Sequence, residues 1–196
     1  MIVLASASSA RRALLEAAGV PFTVDVAAID EAGLRQSLRR ETANPARPAE
    51  LLAELKAMRV SARHPGALVI GADQVLDYDG RWFDKPADLT EARAQLLTLR
   101  HHTHRLTSSV VAVRDGRKLW YHTEQALMTL RNFSEEFLDH YLASVGEAAL
   151  AAVGAYHLEG LGAQLFLKVD GDFFTVLGLP LLPLLDFLRE NEELKR

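Results

Sequence analysis

The sequence predicts an α/β fold built on a mixed sheet, and three observations carry that prediction. Short apolar or alternating runs trade places with amphipathic helical segments from residue 2 onward, the pattern of strand–helix crossovers. Asp79-Gly80 follows one strand-like run and precedes another, as a hairpin turn does. Asp115-Gly116 does the same further on. Crossovers make parallel pairs and hairpins make antiparallel ones, so a sheet containing both is mixed.

The elements follow in order. Ile2–Ala5 reads as a short buried strand, and Ala10–Ala18 as a helix with Leu14, Leu15 and Ala18 on one face, stopped by Gly19. Phe22–Val26 alternates as a strand. Residues 30–47 are polar, lack a clear period and contain Asn44-Pro45, so they read as a loop. Pro48 suits the first turn of a helix to Arg63 whose apolar side is Leu51, Leu52, Leu55 and Met58. "ALVIGADQVL" (67–76) is an apolar strand interrupted by Gly71, Asp73 and Gln74, and Arg81–Phe83 is its hairpin partner. Thr90 reads as the cap of a helix to Leu99. Two long strands, 104–114 and 117–131, come next, then a helix capped by Ser134 with Phe137, Leu138, Tyr141 and Leu142 inward. A glycine-rich stretch (154–162), a strand at Leu165–Val169 and a helix from Leu181 to Glu190 opened by Pro180 complete the chain.

Composition narrows the function. The 196 residues suffice for one sizeable domain or two intimately joined lobes. With 49% hydrophobic and 24% charged residues the balance is that of a globular protein. The absence of cysteine excludes disulfides, thiolate metal sites and cysteine nucleophiles. No apolar stretch approaches the roughly 20 residues of a membrane span. A formal charge of −4 argues against a nucleic-acid polymer as partner. Ala5-Ser6-Ala7 and Arg11-Arg12 mimic export signals, but here the apolar run precedes the basic pair, the reverse of a secretory signal. A cytoplasmic protein with no membrane partner is the expectation.

Two local anomalies point to chemistry. In "LASASSARRALLEA" a strand ends in small hydroxyl residues and leads into a helix, which gathers free N–H groups, hydroxyls and the positive end of a helix dipole. Arg11 and Arg12 in that first turn are unfavourable beside the dipole; either they lie solvated on the helix surface or a bound phosphate offsets them. Asp73 is the second anomaly, because a carboxylate in an apolar strand is costly unless paired, hydrogen-bonded or on a metal. It reads as either a site residue or a structural cap of a neighbouring loop. Gly71 lets another backbone or a ligand approach. Lys56 and Lys85 taken alone read as surface lysines. His101, His102 and His104 read as a surface cluster, since adjacent strand residues point to opposite faces.

The combination resembles a known family. "LASASSARRALL", "AIDE", "ELKA", "GADQVL", "DKPAD", "GAYHLEGLG" and "DGDFFTVLGLPL" look like the ordered motifs of the Maf nucleotide pyrophosphatases, in the family's order and across nearly the whole chain. The resemblance implies a single Maf-like domain over residues 1–196. It implies an elongated mixed sheet with flanking helices and two lobes around a deep cleft, as in the inosine triphosphate pyrophosphatases. It further implies metal-dependent hydrolysis of a nucleoside triphosphate to the monophosphate and pyrophosphate, assisted by Mg²⁺ or Mn²⁺, and suggests a homodimer. Carried over residue by residue, it makes Ser6, Ser8, Arg11, Arg12, Lys56 and Lys85 phosphate binders, Asp73 the general base, and Glu31 with Asp73 the metal-associated acids. Ser9 stands where the family usually has proline, Arg100-His101 where Ser-Gly is common, and Ala152 where a lysine often precedes the glycine-rich motif.

Substrate specificity is expected at Ala10, Gln74 and Glu159. Ala10 occupies an extra position that is similar to the family's 7-methyl-GTP branch, although it lacks the aromatic ring found there. Gln74 and Glu159 also look like that branch. A carboxylate accepts from the N1–H and N2–H₂ edge of guanine and meets the carbonyls of uracil or thymine unfavourably. The alternatives are a dTTP/UTP-preferring enzyme, a nucleotide-binding regulator of cell division without turnover, and a phosphohydrolase acting on the terminal phosphate.

Overall fold

A computed structural model describes residues 1–42 and 44–195. It is a mixed α/β structure of seven strands and flanking helices, as expected, and the chain divides into two compact units. Residues 1–74, 107–124 and 172–196 form the first, and residues 75–106 and 125–171 the second.

In the first unit, β1 (Ile2–Leu4) lies between two parallel partners, β2 (Phe22–Val24) and the start of β3 (Leu68–Tyr78). The register sets Ile2 against Phe22 and Leu68, and Leu4 against Val24 and Ile70. β5 (Thr103–Arg114) follows β3 in the sheet and β6 (Arg117–Leu130) follows β5. Asp115 (φ 49°) and Gly116 (φ 71°) join those two strands with the paired positive φ of a type I′ turn. The parallel strands need crossovers, supplied by α1 (Ser9–Ala17), α2 (Glu31–Glu41) and α3 (Ala46–Ser61).

Both faces of this sheet are covered, which is why its inner strands read as continuous apolar runs. Ile2, Leu4, Leu68, Ile70 and Ala72 pack with Leu14 and Leu15 of α1 and with Leu184 and Phe187 of α7 (Leu181–Glu190). The alternate residues Val3, Val69, Val111 and Val113 pack with Ala53, Ala57 and Val60 of α3. The small residues on α3 bring it unusually close. A β-carbon at Gly71 would overlap the Ala53 carbonyl oxygen and lie 2.9 Å from the Ala57 β-carbon. Another backbone, then, is what Gly71 admits. Gly71→Ala should cost about 1–3 kcal/mol of stability by overpacking. Denaturant titration checks this, and an unchanged midpoint would mean that α3 can retreat freely.

In the second unit, the end of β3 pairs antiparallel with β4 (Arg81–Phe83) through the Asp79-Gly80 turn. The end of β6 pairs antiparallel with β7 (Phe166–Asp170). Here too are α4 (Leu89–Leu99), α5 (Glu135–Val145) and short 3₁₀ turns at 146–151, 153–155 and 161–165. A four-residue helix, α6 (Phe173–Val176), precedes α7 in the first unit and is too short to carry a helical period in the sequence.

Three expectations are corrected. Residues 30–47 are not a loop: α2 fills most of them, capped by Asp30 through Gly33 N–H, and α3 begins at Ala46. The cap of α4 is Asp88, whose carboxylate accepts from Glu91 N–H, and not Thr90. His104 is no surface residue. It is 2% exposed, its Nε2 is 2.6 Å from the Tyr156 hydroxyl, and burial lowers its pKa to about 3, so it is neutral. His101 holds φ 65°, a conformation natural to the glycine that its position resembles.

Candidate active site

Asp73 is the centre of a charged cluster in the first unit. It sits on β3 at 2% exposure, two residues past the contact of Gly71 with α3. That close approach brings Lys56 of α3 to it: Nζ donates to Asp73 Oδ1 at 2.7 Å and pairs with Glu31 Oε2 at 2.9 Å. The other carboxylate oxygen, Oδ2, accepts from Arg35 Nη2 at 2.7 Å. Arg35 also donates from Nη1 to the Gln74 carbonyl at 3.3 Å. A buried carboxylate is tolerable in an apolar strand because each oxygen meets a cation. Its role is therefore not that of a loop cap.

Periodicity does not single out Arg35, because α2 carries too narrow an apolar stripe to mark it as a helix. On a helix, Glu31 and Arg35 are one turn apart on the same face. The same face thus delivers one carboxylate to Lys56 and one guanidinium to Asp73.

The serine–arginine turn separates into two roles. Ser6 Oγ accepts from Ser8 N–H (3.3 Å) and from Arg11 Nη1 (3.1 Å), and Ser8 Oγ caps α1 by accepting from Arg11 N–H (3.4 Å). Each hydroxyl is used as an acceptor, which leaves its own proton to donate. Arg11 is buried: Nε donates to the Gly178 carbonyl at 2.8 Å and Nη1 to the Ala72 carbonyl at 2.9 Å. Its guanidinium ties the first turn of α1 to the β3 residue before Asp73. Burial lowers its pKa from the ordinary value, opposed by the charges of Asp73 and Glu31. Arg12 is exposed, its Nε 3.9 Å from Glu16. Ala10 is half-buried in the first turn of α1.

Gln74 is held tightly. Its Nε2 donates to Ser108 Oγ (2.9 Å) and to the carbonyls of Thr175 (3.2 Å) and Val176 (3.0 Å). Thr175 in turn donates to Glu124 at 2.7 Å and its carbonyl accepts from Ser108. In the second unit, Lys85 is exposed on the segment between β4 and α4. Glu159, also in that unit, lies on the glycine-rich stretch with Oε1 3.4 Å from His157 Nδ1. The cluster of the first unit thus unites Ser6, Ser8, Arg11, Glu31, Lys56, Asp73 and Gln74 with Arg35.

Among the described residues no group of three or more His, Cys, Asp and Glu is placed to hold a metal. Glu31 and Asp73 nevertheless share one ammonium, so two carboxylates converge on one point. Hard cations such as Mg²⁺ are commonly held by one or two carboxylates with water and substrate phosphate. The donor set fits that mode.

Comparison with known proteins agrees with the motif order. The chain is 71% identical over 192 residues to a nucleoside triphosphate pyrophosphatase of Paramagnetospirillum magneticum, covering 98% of this chain and 99% of the relative. A nucleoside triphosphate pyrophosphatase of Granulibacter bethesdensis is 52% identical, with 98% of each chain covered. A 7-methyl-GTP pyrophosphatase of Rhizobium meliloti is 50% identical, covering 97% of this chain and 96% of the relative. The model of the Maf-like proteins matches residues 1–191, and the chain belongs to that family.

Proposed function

We propose that this protein hydrolyses a nucleoside triphosphate to the monophosphate and pyrophosphate. The observation that carries the reading is Asp73, a buried carboxylate flanked by Lys56 and Arg35 at 2.7 Å each. Water adds to the α-phosphorus as the bond to the β-phosphate oxygen breaks. The proton from water passes to Asp73, and the leaving pyrophosphate takes the electron pair and more negative charge. Arg12 and Lys56 offset that charge, and the Ser6 and Ser8 hydroxyls donate to phosphate oxygens. Arg11 serves phosphate chiefly through its field and through the turn it braces. A triphosphate is a stronger anion than one carboxylate, so it draws Arg35 from Asp73 and frees Oδ2 to face water. Glu31 and Asp73 would hold a divalent cation, Mg²⁺ or Mn²⁺. When bound, it supplies charge neutralisation of the phosphates.

The relatives' names support the pyrophosphatase reading over a regulator without turnover. No described helix is long and apolar enough to cross a membrane; a small-molecule substrate met in the cytoplasm is part of the proposal. A homodimer is part of the same reading. Product analysis with Mg²⁺ or Mn²⁺ across a panel of nucleotides is the test. Pyrophosphate release is expected; orthophosphate alone would assign the protein to terminal-phosphate hydrolysis.

Among nucleotides we expect preference for 7-methyl-GTP or a similar modified purine over dTTP and UTP. Glu159 supports this, since a carboxylate accepts from the guanine edge and favours the positive charge of a 7-methylated ring. Ala10 and Gln74 are expected to bear on specificity from the first unit, Gln74 through its fixed orientation. Glu159→Gln should move selectivity towards pyrimidines. A wild-type preference for dTTP or UTP of about tenfold or more (about 1.4 kcal/mol) would reverse the substrate assignment and leave the reaction class intact.

A further inference from the structure

We propose that His157 is a positioning residue for specificity: as an imidazolium, it holds the Glu159 carboxylate ionised and oriented for a guanine-type base. The inference rests on the reading of Glu159 given above and adds the group that controls it.

The proton assignment follows from the two neighbours of the ring. His157 Nε2 lies 2.8 Å from the Ala148 carbonyl oxygen, which only accepts, so Nε2 carries hydrogen. Nδ1 lies 3.4 Å from Glu159 Oε1. A neutral ring with its hydrogen on Nε2 would turn a lone pair towards that carboxylate. A protonated ring turns a donor towards it. With the carboxylate ionised, the arrangement is consistent with itself only when the ring is charged.

The surrounding backbone fixes both partners. The His157 carbonyl accepts from Gly160 N–H at 3.2 Å, closing a turn around Glu159, and the Gly160 carbonyl accepts from Ala163 N–H at 3.0 Å. Gly162 packs so tightly that a β-carbon there would overlap the His157 carbonyl oxygen. The two side chains thus meet on a braced turn.

The other groups that act on the pair are few. Lys85 opposes the charge on His157. The Tyr141 hydroxyl, donating to the Ala155 carbonyl at 3.0 Å, is pushed up to about 12 by burial and the Glu159 charge, so it stays neutral. Pairing with the Glu159 carboxylate is the largest influence on His157 and raises its pKa, against desolvation; the same pairing lowers that of Glu159. The imidazolium therefore persists above the ordinary histidine value of 6.5 and is lost as pH rises through its raised pKa. Beyond that point Glu159 loses its anchor.

The test compares kcat/KM for 7-methyl-GTP and dTTP, read by pyrophosphate release from about pH 5 to about pH 8. In the wild type the ratio should fall about tenfold across the histidine transition. In His157→Gln it should be low and lack that transition. Titration of the bases themselves is common to both proteins and cancels when the two profiles are divided. Independently of activity, the His157 ring resonance should titrate above the ordinary value in the wild type and fall back towards it in Glu159→Gln. A flat wild-type ratio, an identical profile in His157→Gln, or a His157 titration untouched by Glu159→Gln would each overturn the proposal. Absence of pyrophosphate from every nucleotide would instead remove the reaction, and the inference with it, so the two failures are distinguishable.

Discussion

Asp73→Asn is expected to leave a folded protein that has lost about 10²–10⁴-fold of its pyrophosphate release, the usual worth of a general base. The amide is nearly isosteric with the carboxylate, so the packing of β3 against α3 at Gly71 should survive. What it lacks is basicity, charge and strength as a metal ligand. One Asn oxygen can still accept from Lys56 or from Arg35, but not with a carboxylate's charge at both oxygens. Lys56 keeps Glu31 as a partner at 2.9 Å, which limits the penalty of an uncompensated ammonium. Circular dichroism and denaturant titration would establish the fold, and a pyrophosphate assay the loss. A folded Asp73→Asn protein with wild-type turnover would remove Asp73 from the chemistry. The size of the loss separates the base from its neighbours, because Gln74 and Arg11 act on the substrate only through position or field.

Much of this cluster was legible in the sequence, and what was missed has a physical cause. Asp73 stood out because burial of a carboxylate demands partners, and the apolar strand around it announced the burial. Lys56 did not stand out, since it follows Leu52 and Leu55 on a helix where a lone lysine reads as a surface residue. Only the approach of α3, set by Ala53, Ala57 and Gly71, turns it inward. α2 was lost because its apolar stripe is just Leu34 and Leu38, and Asn44-Pro45 follows. Its end signals were nevertheless present: Asp30 as cap, Glu31 in the first turn, and Arg39 and Arg40 in the last. Weighing those ends above the weak period would have placed Glu31 and Arg35 on one face. His104 shows the opposite failure. Alternation correctly separates it from its neighbours, but periodicity does not say which face is covered.

The second large effect concerns stability. Lys56→Met is expected to cost towards the lower end of the about 3–5 kcal/mol typical of removing one partner of a buried ion pair. Lys56 is 7% exposed and Asp73 2%, so water does little for either once the other is gone. Two features hold the cost down. Arg35 remains on Asp73 Oδ2, and Glu31, with its side chain 43% exposed, can turn to solvent. The double variant Lys56→Met/Asp73→Asn should be less destabilised than the two single changes predict together, by about 0.5–3 kcal/mol. Urea unfolding of the four proteins supplies the cycle. Simple additivity would mean that Arg35 alone neutralises Asp73, and that Lys56 is placed for phosphate and not for the fold. A coupled result would mean that the cation assigned to phosphate also holds the base in a strand otherwise built for apolar side chains.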